Sequence, residues 1–210
     1  MTILAFEFSS ERRSVALAYD GVVRSEAEES GSYRVTNAFA LTKKVLTEAK
    51  VSREEVEVIA VGLGPGSYTG IRAAIALAQG WQLACGIKLL GVSSADCLAA
   101  QAQAEKIFGR VNVVIDAQRE EFYVSTWNIS EAGRTEVSPL KIVPAAEIEA
   151  LKLAGEACVG PETGSIIFPS AAMVARLAAV RTDFVTGEKL EPIYLRETAF
   201  VKAIPVLRSY

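Results

Sequence analysis

The sequence has 210 residues, half of them hydrophobic, with 22 Lys and Arg against 25 Asp and Glu and a formal charge of −3. This length and composition predict one large globular domain or two small lobes, and they exclude a disordered chain. Histidine does not occur in the sequence, which excludes Ser-His-Asp catalysis, Cys-His catalysis and His-based zinc sites.

Charge and hydropathy also predict where the protein is located and whether it contacts a membrane or nucleic acid. Glu7, Glu11 and Arg12 interrupt the N-terminal apolar run too early for a signal peptide, and no stretch reaches the ~18 apolar residues of a membrane span. Lys and Arg form no dense cluster, so we expect any contact with nucleic acid to be shared with a partner. The expectation is a cytoplasmic protein without membrane contact. Its cysteines are expected to be buried, reduced thiols: Cys85, Cys97 and Cys158.

The first half of the chain predicts the element order β-β-β-α-β-α-β-α, which indicates a mixed sheet with helices on its faces. Asp20-Gly21 predicts a tight hairpin between the second and third strands. A helix is expected over residues 33–50, and Ser52 with Glu55 fits a capping box. Ser93 or Ser94 is expected to begin the last helix of this half.

Residues 58–80 stand at the centre of this half and predict a strand, a glycine-rich loop and a long helix. That order can place backbone N–H groups at a helix start, where anions or partner carbonyls are held. The loop matches neither a Walker A loop nor G-x-G-x-x-G, so a structural turn is favoured over a phosphate cradle. Ser67 and Thr69 are both candidate N-caps. The loop consists of Gly62, Gly64, Pro65, Gly66, Ser67, Tyr68, Thr69 and Gly70.

The helix after this loop is apolar nearly all round. Between residues 71 and 84 its strongly polar side chains are Arg72, Gln79 and Gln82, which share one side of the helical wheel. Such a helix is buried on more than one face. Two interpretations remain open: a central helix inside one domain, or a helix that packs on its own sheet and also on a partner subunit.

The second half begins after a turn at residues 108–110. Strand, turn and strand over residues 111–129 repeat the opening of the chain, and helices are expected over residues 147–153 and 169–180. We therefore predict an N-terminal lobe over residues 1–106, which carries the glycine loop and central helix, and a C-terminal lobe over residues 107–210. The tail from residue 190 is expected to be extended and could return to the N-terminal lobe.

Two carboxylates occupy equivalent positions after the first strand of each half. Glu7 and Asp116 could face one cleft and hold a metal–nucleotide, or each could satisfy local backbone groups in its own turn. Arg72 lies in the first turn of its helix, where the helix dipole disfavours a cation. This position suggests an anionic or acidic partner, although an ordinary exposed arginine is the simpler interpretation.

Three segments resemble markers of the TsaB (YeaZ) family, bacterial partners in making the threonylcarbamoyladenosine modification of tRNA. Residues 62–72 read GLGPGSYTGIR, with Ala78-Gln79-Gly80 further on. Residues 115–123 read IDAQREEFY, and residues 192–196 read PIYLR. The resemblance extends over nearly the full length of the chain.

The resemblance implies an α/β, two-lobed fold of the actin/sugar-kinase/Hsp70 (ASKHA) type, with mixed sheets flanked by helices. It implies a non-catalytic activator or scaffold that dimerises with the TsaD transferase, in the complex that forms N6-threonylcarbamoyladenosine at position 37 of ANN-reading tRNAs. No catalytic residue, metal or intrinsic cofactor is expected. The helices at 33–50 and 69–84 would form the interface, with Phe39, Leu41, Val45, Ile71, Arg72, Ile75, Ala76 and Gln79 as candidate residues.

Further partners follow from the same resemblance. A TsaE-like ATPase would join the pair with ATP or ADP at the junction, the chain alone would form a homodimer through the same surface, and tRNA would be reached only through the complex. The first strand ends in Glu7-Phe8-Ser9, where relatives typically have Asp followed by Thr-Ser. Glu7 and Asp116 are therefore candidates for a vestigial nucleotide cleft. The alternative function is a small-molecule kinase or ATPase of the same fold.

Overall fold

The computed structural model describes residues 1–31, 37–163 and 165–196. Within them, ten strands form two five-stranded sheets, and five α-helices pack on these sheets. The first sheet comprises β1 (Thr2–Glu7), β2 (Arg12–Tyr19), β3 (Val22–Ser30), β4 (Val58–Gly62) and β5 (Lys88–Val92). The second comprises β6 (Gly109–Asp116), β7 (Glu121–Ser130), β8 (Gly133–Pro144), β9 (Ala157–Gly160) and β10 (Ser165–Ile166). The helices are α1 (Ala38–Ala49), α2 (Tyr68–Cys85), α3 (Ser94–Ala104), α4 (Ala145–Leu153) and α5 (Ala171–Ala178).

The two sheets have the same topology. Their strand orders are β3-β2-β1-β4-β5 and β8-β7-β6-β9-β10. In each, the first three strands form an antiparallel meander, the fourth pairs in parallel with the first, and the fifth pairs in parallel with the fourth. The strand-turn-strand repeat seen in the sequence is thus part of a repeat of whole sheets, and the predicted two-lobed α/β fold is confirmed.

Helices cover both faces of each sheet. On β1, Leu4 and Phe6 point to the outer face with α1 and α2, whereas Ile3 and Ala5 point to the inner face with α5. The inner face of the second sheet packs on α3, and its outer face packs on α4. Because β1 is covered on both sides, all its residues are buried, as is typical of a central strand with apolar runs.

The two helices between the sheets are exchanged between the halves of the chain. Leu98 and Ala102 of α3 pack on the second sheet, although α3 follows β5 in sequence. Helix α5 follows β10 but packs on the first sheet, where the Ala171 N–H donates to the Ser14 hydroxyl oxygen (2.8 Å). The division predicted at residues 106/107 therefore separates the strands of the two lobes but assigns α3 and α5 to the wrong sheets. Sequence order alone does not show this exchange.

Most predicted boundaries lie close to the observed ones. The Asp20-Gly21 hairpin has the positive φ angles (48° and 76°) that such a tight turn needs. Ser67 caps α2 by accepting from the Gly70 N–H. Helix α1 begins at Ala38, and residues 33–36 of the predicted helix lie outside the described residues. None of the described helices is long and apolar enough to cross a membrane.

Strand β8 was not predicted from the sequence, although it has 12 residues. It lies at the edge of the second sheet, its side chains are mostly exposed or half-buried, and it contains Pro139. An edge strand tolerates proline and polar residues because one side of its backbone makes no ladder hydrogen bonds. It therefore lacks the apolar run by which the central strands were recognised.

Residues 184–196, called the strap below, return from α5 to the first sheet and then reach the second. The Val185 N–H donates to the Leu89 carbonyl at the free edge of β5 (2.9 Å), and Leu190 is buried in the core under α1 and α2. The Ile193 N–H donates to the Leu63 carbonyl (2.9 Å). The part of the predicted tail after residue 196 lies outside the described residues.

Candidate partner interface and interlobe cleft

The glycine loop packs on the backbone that follows β1. A Cβ atom on Gly66 would lie 2.1 Å from the Ser9 carbonyl oxygen, and one on Gly70 would lie 2.0 Å from the Phe8 carbonyl oxygen. No side chain fits at such distances, so glycine is required at both positions by the close approach of two backbone segments. The Ser67 N–H donates to the Ser9 carbonyl (2.6 Å) and fixes this contact.

The N–H groups of Gly64 and Gly70 in the loop are used inside the protein. The Gly64 N–H donates to the Ser94 hydroxyl (3.2 Å), and the Gly70 N–H donates to the Ser67 hydroxyl (3.3 Å). A phosphate cradle requires such groups to point at a ligand. These contacts therefore favour the structural turn over the phosphate cradle.

Glu7 is fully buried. Its carboxyl group accepts from the Ser9 N–H (2.7 Å) and from the Ser94 hydroxyl (2.9 Å). It lies directly against Gly62, where a Cβ atom would be 2.0 Å from Glu7 Oε2. Burial raises the pKa of the Glu7 carboxyl group, and the hydrogen bonds from Ser9 and Ser94 only partly oppose this.

A cleft of about 740 Å³ lies between the lobes. Asp116 lines it and accepts from the Gln118 N–H (2.7 Å), but Glu7 does not line it. The two carboxylates predicted as a nucleotide pair are therefore not brought together, because Glu7 lies on the inner face of β1 under Ser94. Glu11 and Glu162 also line the cleft, and burial together with the Asp116 charge raises the pKa of Glu162.

Four side chains assigned to a partner interface lie in the core instead. Leu41 and Val45 of α1 and Ile71 and Ile75 of α2 are buried in the cluster between these helices and the first sheet. They form the stripe that each helix turns toward its sheet. In α2, which is apolar on several sides, the sequence gives no signal that separates this stripe from an exposed one.

The other four predicted interface residues are placed differently. Phe39 on α1 is 78% exposed, and Arg72 and Ala76 on α2 are exposed. The Gln79 amide, in contrast, donates to the Gly187 carbonyl of the strap (2.8 Å). Gln79 is therefore occupied within the chain.

Helix α2 has one exposed face along its whole length. The spacing of three and four residues places the exposed side chains on one side of the helix. Near its ends, Tyr68 is 58% exposed and Leu83 is 89% exposed. Gly80 has no atom within 4 Å of the place its Cβ would take. This face, called the α2 face below, comprises Tyr68, Arg72, Ala76, Gly80 and Leu83.

The strap adds a cluster that the sequence analysis did not assign to the site. The Tyr194 ring stacks on the Tyr68 ring, with centroids 5.3 Å apart and an interplanar angle of 26°. The Arg72 guanidinium lies 5.2 Å from the Tyr68 ring centroid and donates to the Tyr68 hydroxyl (3.2 Å). The sequence signal for this cluster is the PIYLR segment, residues 192–196.

The fold and this site define a class: a two-lobed α/β protein whose two sheets share one strand order and whose longest described helix keeps an exposed face. The family model for TsaD, tRNA N6-adenosine threonylcarbamoyltransferase, matches residues 3–184. The tRNA threonylcarbamoyladenosine biosynthesis protein TsaB of Escherichia coli K12 is 28% identical over 228 residues, covering 98% of this chain and 99% of that protein.

Two further comparisons agree. An uncharacterized protein of Mycobacterium bovis is 32% identical over 159 residues, covering 72% of this chain and 69% of that protein. The structure of YeaZ from Pseudomonas aeruginosa superposes with a TM-score of 0.77 at 25% identity, covering 92% of this chain and 99% of that one. The chain belongs to the family that the matching model describes and, within it, to the TsaB (YeaZ) proteins.

Proposed function

We propose that this chain is a non-catalytic subunit that activates a TsaD-type transferase by dimerising with it, in the formation of N6-threonylcarbamoyladenosine at position 37 of ANN-reading tRNAs. The observation that carries the proposal is the α2 face, an exposed face on a helix whose other sides are buried by the first sheet and the strap. The TsaB relatives named for biosynthesis of the same modified nucleoside supply the chemistry.

Several properties of the chain support an activator over a kinase or ATPase of the same fold. An ASKHA kinase needs a carboxylate on each phosphate loop, but Asp116 lines the cleft and Glu7 does not. The sequence contains no histidine to act as a general base. The alternative predicts ATP turnover that Glu7→Ala abolishes, whereas the activator should show none.

The remaining partners belong to the same proposal. We expect the chain alone to form a homodimer through the α2 face, with the exposed Phe39 of α1 as a further candidate residue, because an exposed apolar patch tends to be covered. A TsaE-like ATPase would join the heterodimer with ATP or ADP at the junction. With a formal charge of −3, the chain would reach tRNA only through the complex.

The first experiment measures molar mass by light scattering on a sizing column. It is done for the chain alone and for the chain mixed with the TsaD-like protein of the same organism. We expect a homodimer that changes to a heterodimer on mixing. Ala76→Glu places a charge in the middle of the α2 face and should block both assemblies. Ala150→Glu is the matched control, since Ala150 is an exposed alanine on α4, on the outer side of the second sheet.

A reconstituted modification assay gives the functional measurement. The transferase should form the modified nucleoside with the wild-type chain and with Ala150→Glu, but not with Ala76→Glu. A wild-type chain that stays monomeric and does not bind the transferase would overturn the proposal.

A further inference from the structure

We infer that the junction of the strap with the first two turns of α2 is an anchor for a carboxylate side chain on the partner protein. The junction consists of Tyr68, Arg72, Tyr194 and Leu195. This inference rests on the proposed function, since it concerns the same transferase partner. It extends the contact surface from α2 to the strap, which the sequence comparison with the family did not assign to any interface.

The first line of support is the ordered and exposed aromatic pair. Tyr68 is 58% exposed and Tyr194 is 42% exposed, yet their rings are stacked on each other. Leu195, the next residue along the strap, is also 42% exposed. Tyr and Arg are the residue types over-represented among side chains that dominate binding energy at protein interfaces. Because the two rings hold each other in place, little side-chain entropy remains to be lost on binding.

The second line of support is the charge of Arg72. Within residues 1–31, 37–163 and 165–196, no carboxylate oxygen lies within 4.0 Å of its guanidinium nitrogens. The Tyr68 hydroxyl and ring hold the group instead. Arg72 also lies in the first turns of α2, where the helix dipole favours negative charge. A carboxylate docked here would be stabilised by both the guanidinium and the helix end.

The surroundings favour a protein carboxylate over the phosphates of an RNA. The strap ends at the second sheet, where Arg196 donates to the Ala117 carbonyl (3.1 Å) and pairs with Glu121. Glu191 on the strap is exposed, and the adjacent cleft carries Asp116 and Glu162. A single carboxylate can approach Arg72 alone, whereas a polyanion would meet these acidic groups as well.

The anchor is tested by measuring the affinity of the transferase for Arg72→Ala and Tyr194→Ala, by titration calorimetry at low and at high salt. We expect each variant to weaken binding about tenfold or more. The wild-type affinity should fall with rising salt, and Arg72→Ala should lose most of that dependence because an ion pair is screened by salt. Leu153→Ala, an 89% exposed leucine on α4, is the control and should bind as the wild type does.

The outcomes separate this inference from the proposed function. If the wild-type chain does not bind the transferase, both the anchor and the proposed function are overturned. If the wild type binds and Ala76→Glu blocks binding, while Arg72→Ala and Tyr194→Ala keep the wild-type affinity and salt dependence, the anchor alone is overturned. The anchor is also overturned if Arg72→Ala keeps transferase binding but loses binding of an anticodon stem-loop RNA to the complex. Unchanged thermal unfolding of both variants checks that the fold is intact.

Discussion

The Ser94 hydroxyl donates to Glu7 Oε2 at 2.9 Å, and this bond joins the central strand of the first sheet to the start of the helix that packs on the second. The Gly64 N–H donates to the same hydroxyl, and the Ser94 N–H donates to the Gly64 carbonyl (2.8 Å). The buried carboxyl group of Glu7 thus links β1, the glycine loop and α3. Its role in this chain is to hold elements together inside the protein.

The first prediction concerns Glu7 and pH. Because burial raises its pKa above the ordinary 4.5, the folded protein keeps a proton that the unfolded chain releases. The contribution of Glu7 to the free energy of unfolding should therefore be largest below about pH 4.5. It should fall as pH rises from there toward the folded pKa, by about 1.4 kcal/mol per pH unit. Glu7→Gln cannot ionise and should lose this fall.

Urea unfolding of wild type and Glu7→Gln at pH 5 and pH 8 measures the effect. Other carboxyl groups with a raised pKa, such as Glu26 and Glu162, affect both proteins equally, so the difference between the two slopes belongs to Glu7. The buried thiol of Cys97 faces Glu7, and its own pKa is raised well above the usual value, so it stays neutral over this range. Parallel pH profiles would contradict the prediction.

A second prediction compares two glycines in α2. Gly70→Ala places a methyl group 2.0 Å from the Phe8 carbonyl oxygen, a backbone atom that cannot move aside alone. We expect a loss of about 1–3 kcal/mol, as for other overpacked sites. Gly80→Ala meets no atom within 4 Å and should stabilise the helix by about 0.5–1 kcal/mol. Thermal and urea unfolding measure the stability of both variants. If the two substitutions changed the free energy of unfolding equally and in the same direction, the result would be inconsistent with these contacts.

A third prediction concerns the two hydrogen bonds that hold the strap on α2. The Gly187 N–H donates to Gln82 Oε1 (2.6 Å), and Gln79 donates to the Gly187 carbonyl (2.8 Å). Gln82→Ala leaves the half-buried N–H without this acceptor, at a cost of about 1–3 kcal/mol. Amide hydrogen exchange should then become faster at Gly187 and Leu190, while β1 is unchanged. Glu188→Ala, an exposed change in the same segment, is the control and should leave exchange as it is.

A fourth prediction concerns the thiols. Cys97 and Cys158 are buried and Cys85 is exposed at the end of α2, so the sequence-based expectation of three buried thiols is wrong for Cys85. Burial raises the pKa of Cys97 and Cys158, which disfavours the reactive thiolate. A disulfide reagent should therefore modify one thiol rapidly in the native protein and three in denaturant. The rapid phase should be missing in Cys85→Ser; its persistence there would refute the assignment.

Local signals in the sequence were sufficient for the strand, glycine loop and helix of residues 58–85, because apolar runs and glycines mark their boundaries directly. These signals were not sufficient to predict the direction in which side chains point. In β1, residues alternate between faces, so Glu7 shares the inner face with Ile3 and Ala5, yet knowing what covers that face requires the position of α3. In α2, which is apolar on several sides, the buried Ile71 and Ile75 were likewise indistinguishable from exposed apolar residues. A return of the tail to the N-terminal lobe was among the expectations, but the individual contacts of the strap could not be predicted because they join residues more than 70 positions apart.

The exchange of α3 and α5 has a consequence for the unit that can fold. Each half of the chain supplies the helix that seals the inner face of the other half's sheet. A polypeptide of one half alone would keep an open apolar sheet face and a helix with nothing to cover. The helix that each half carries fits the sheet of the other half, so both halves are needed before either sheet is covered. Severing the connection between α3 and β6 would accordingly give two fragments that regain structure together and not separately.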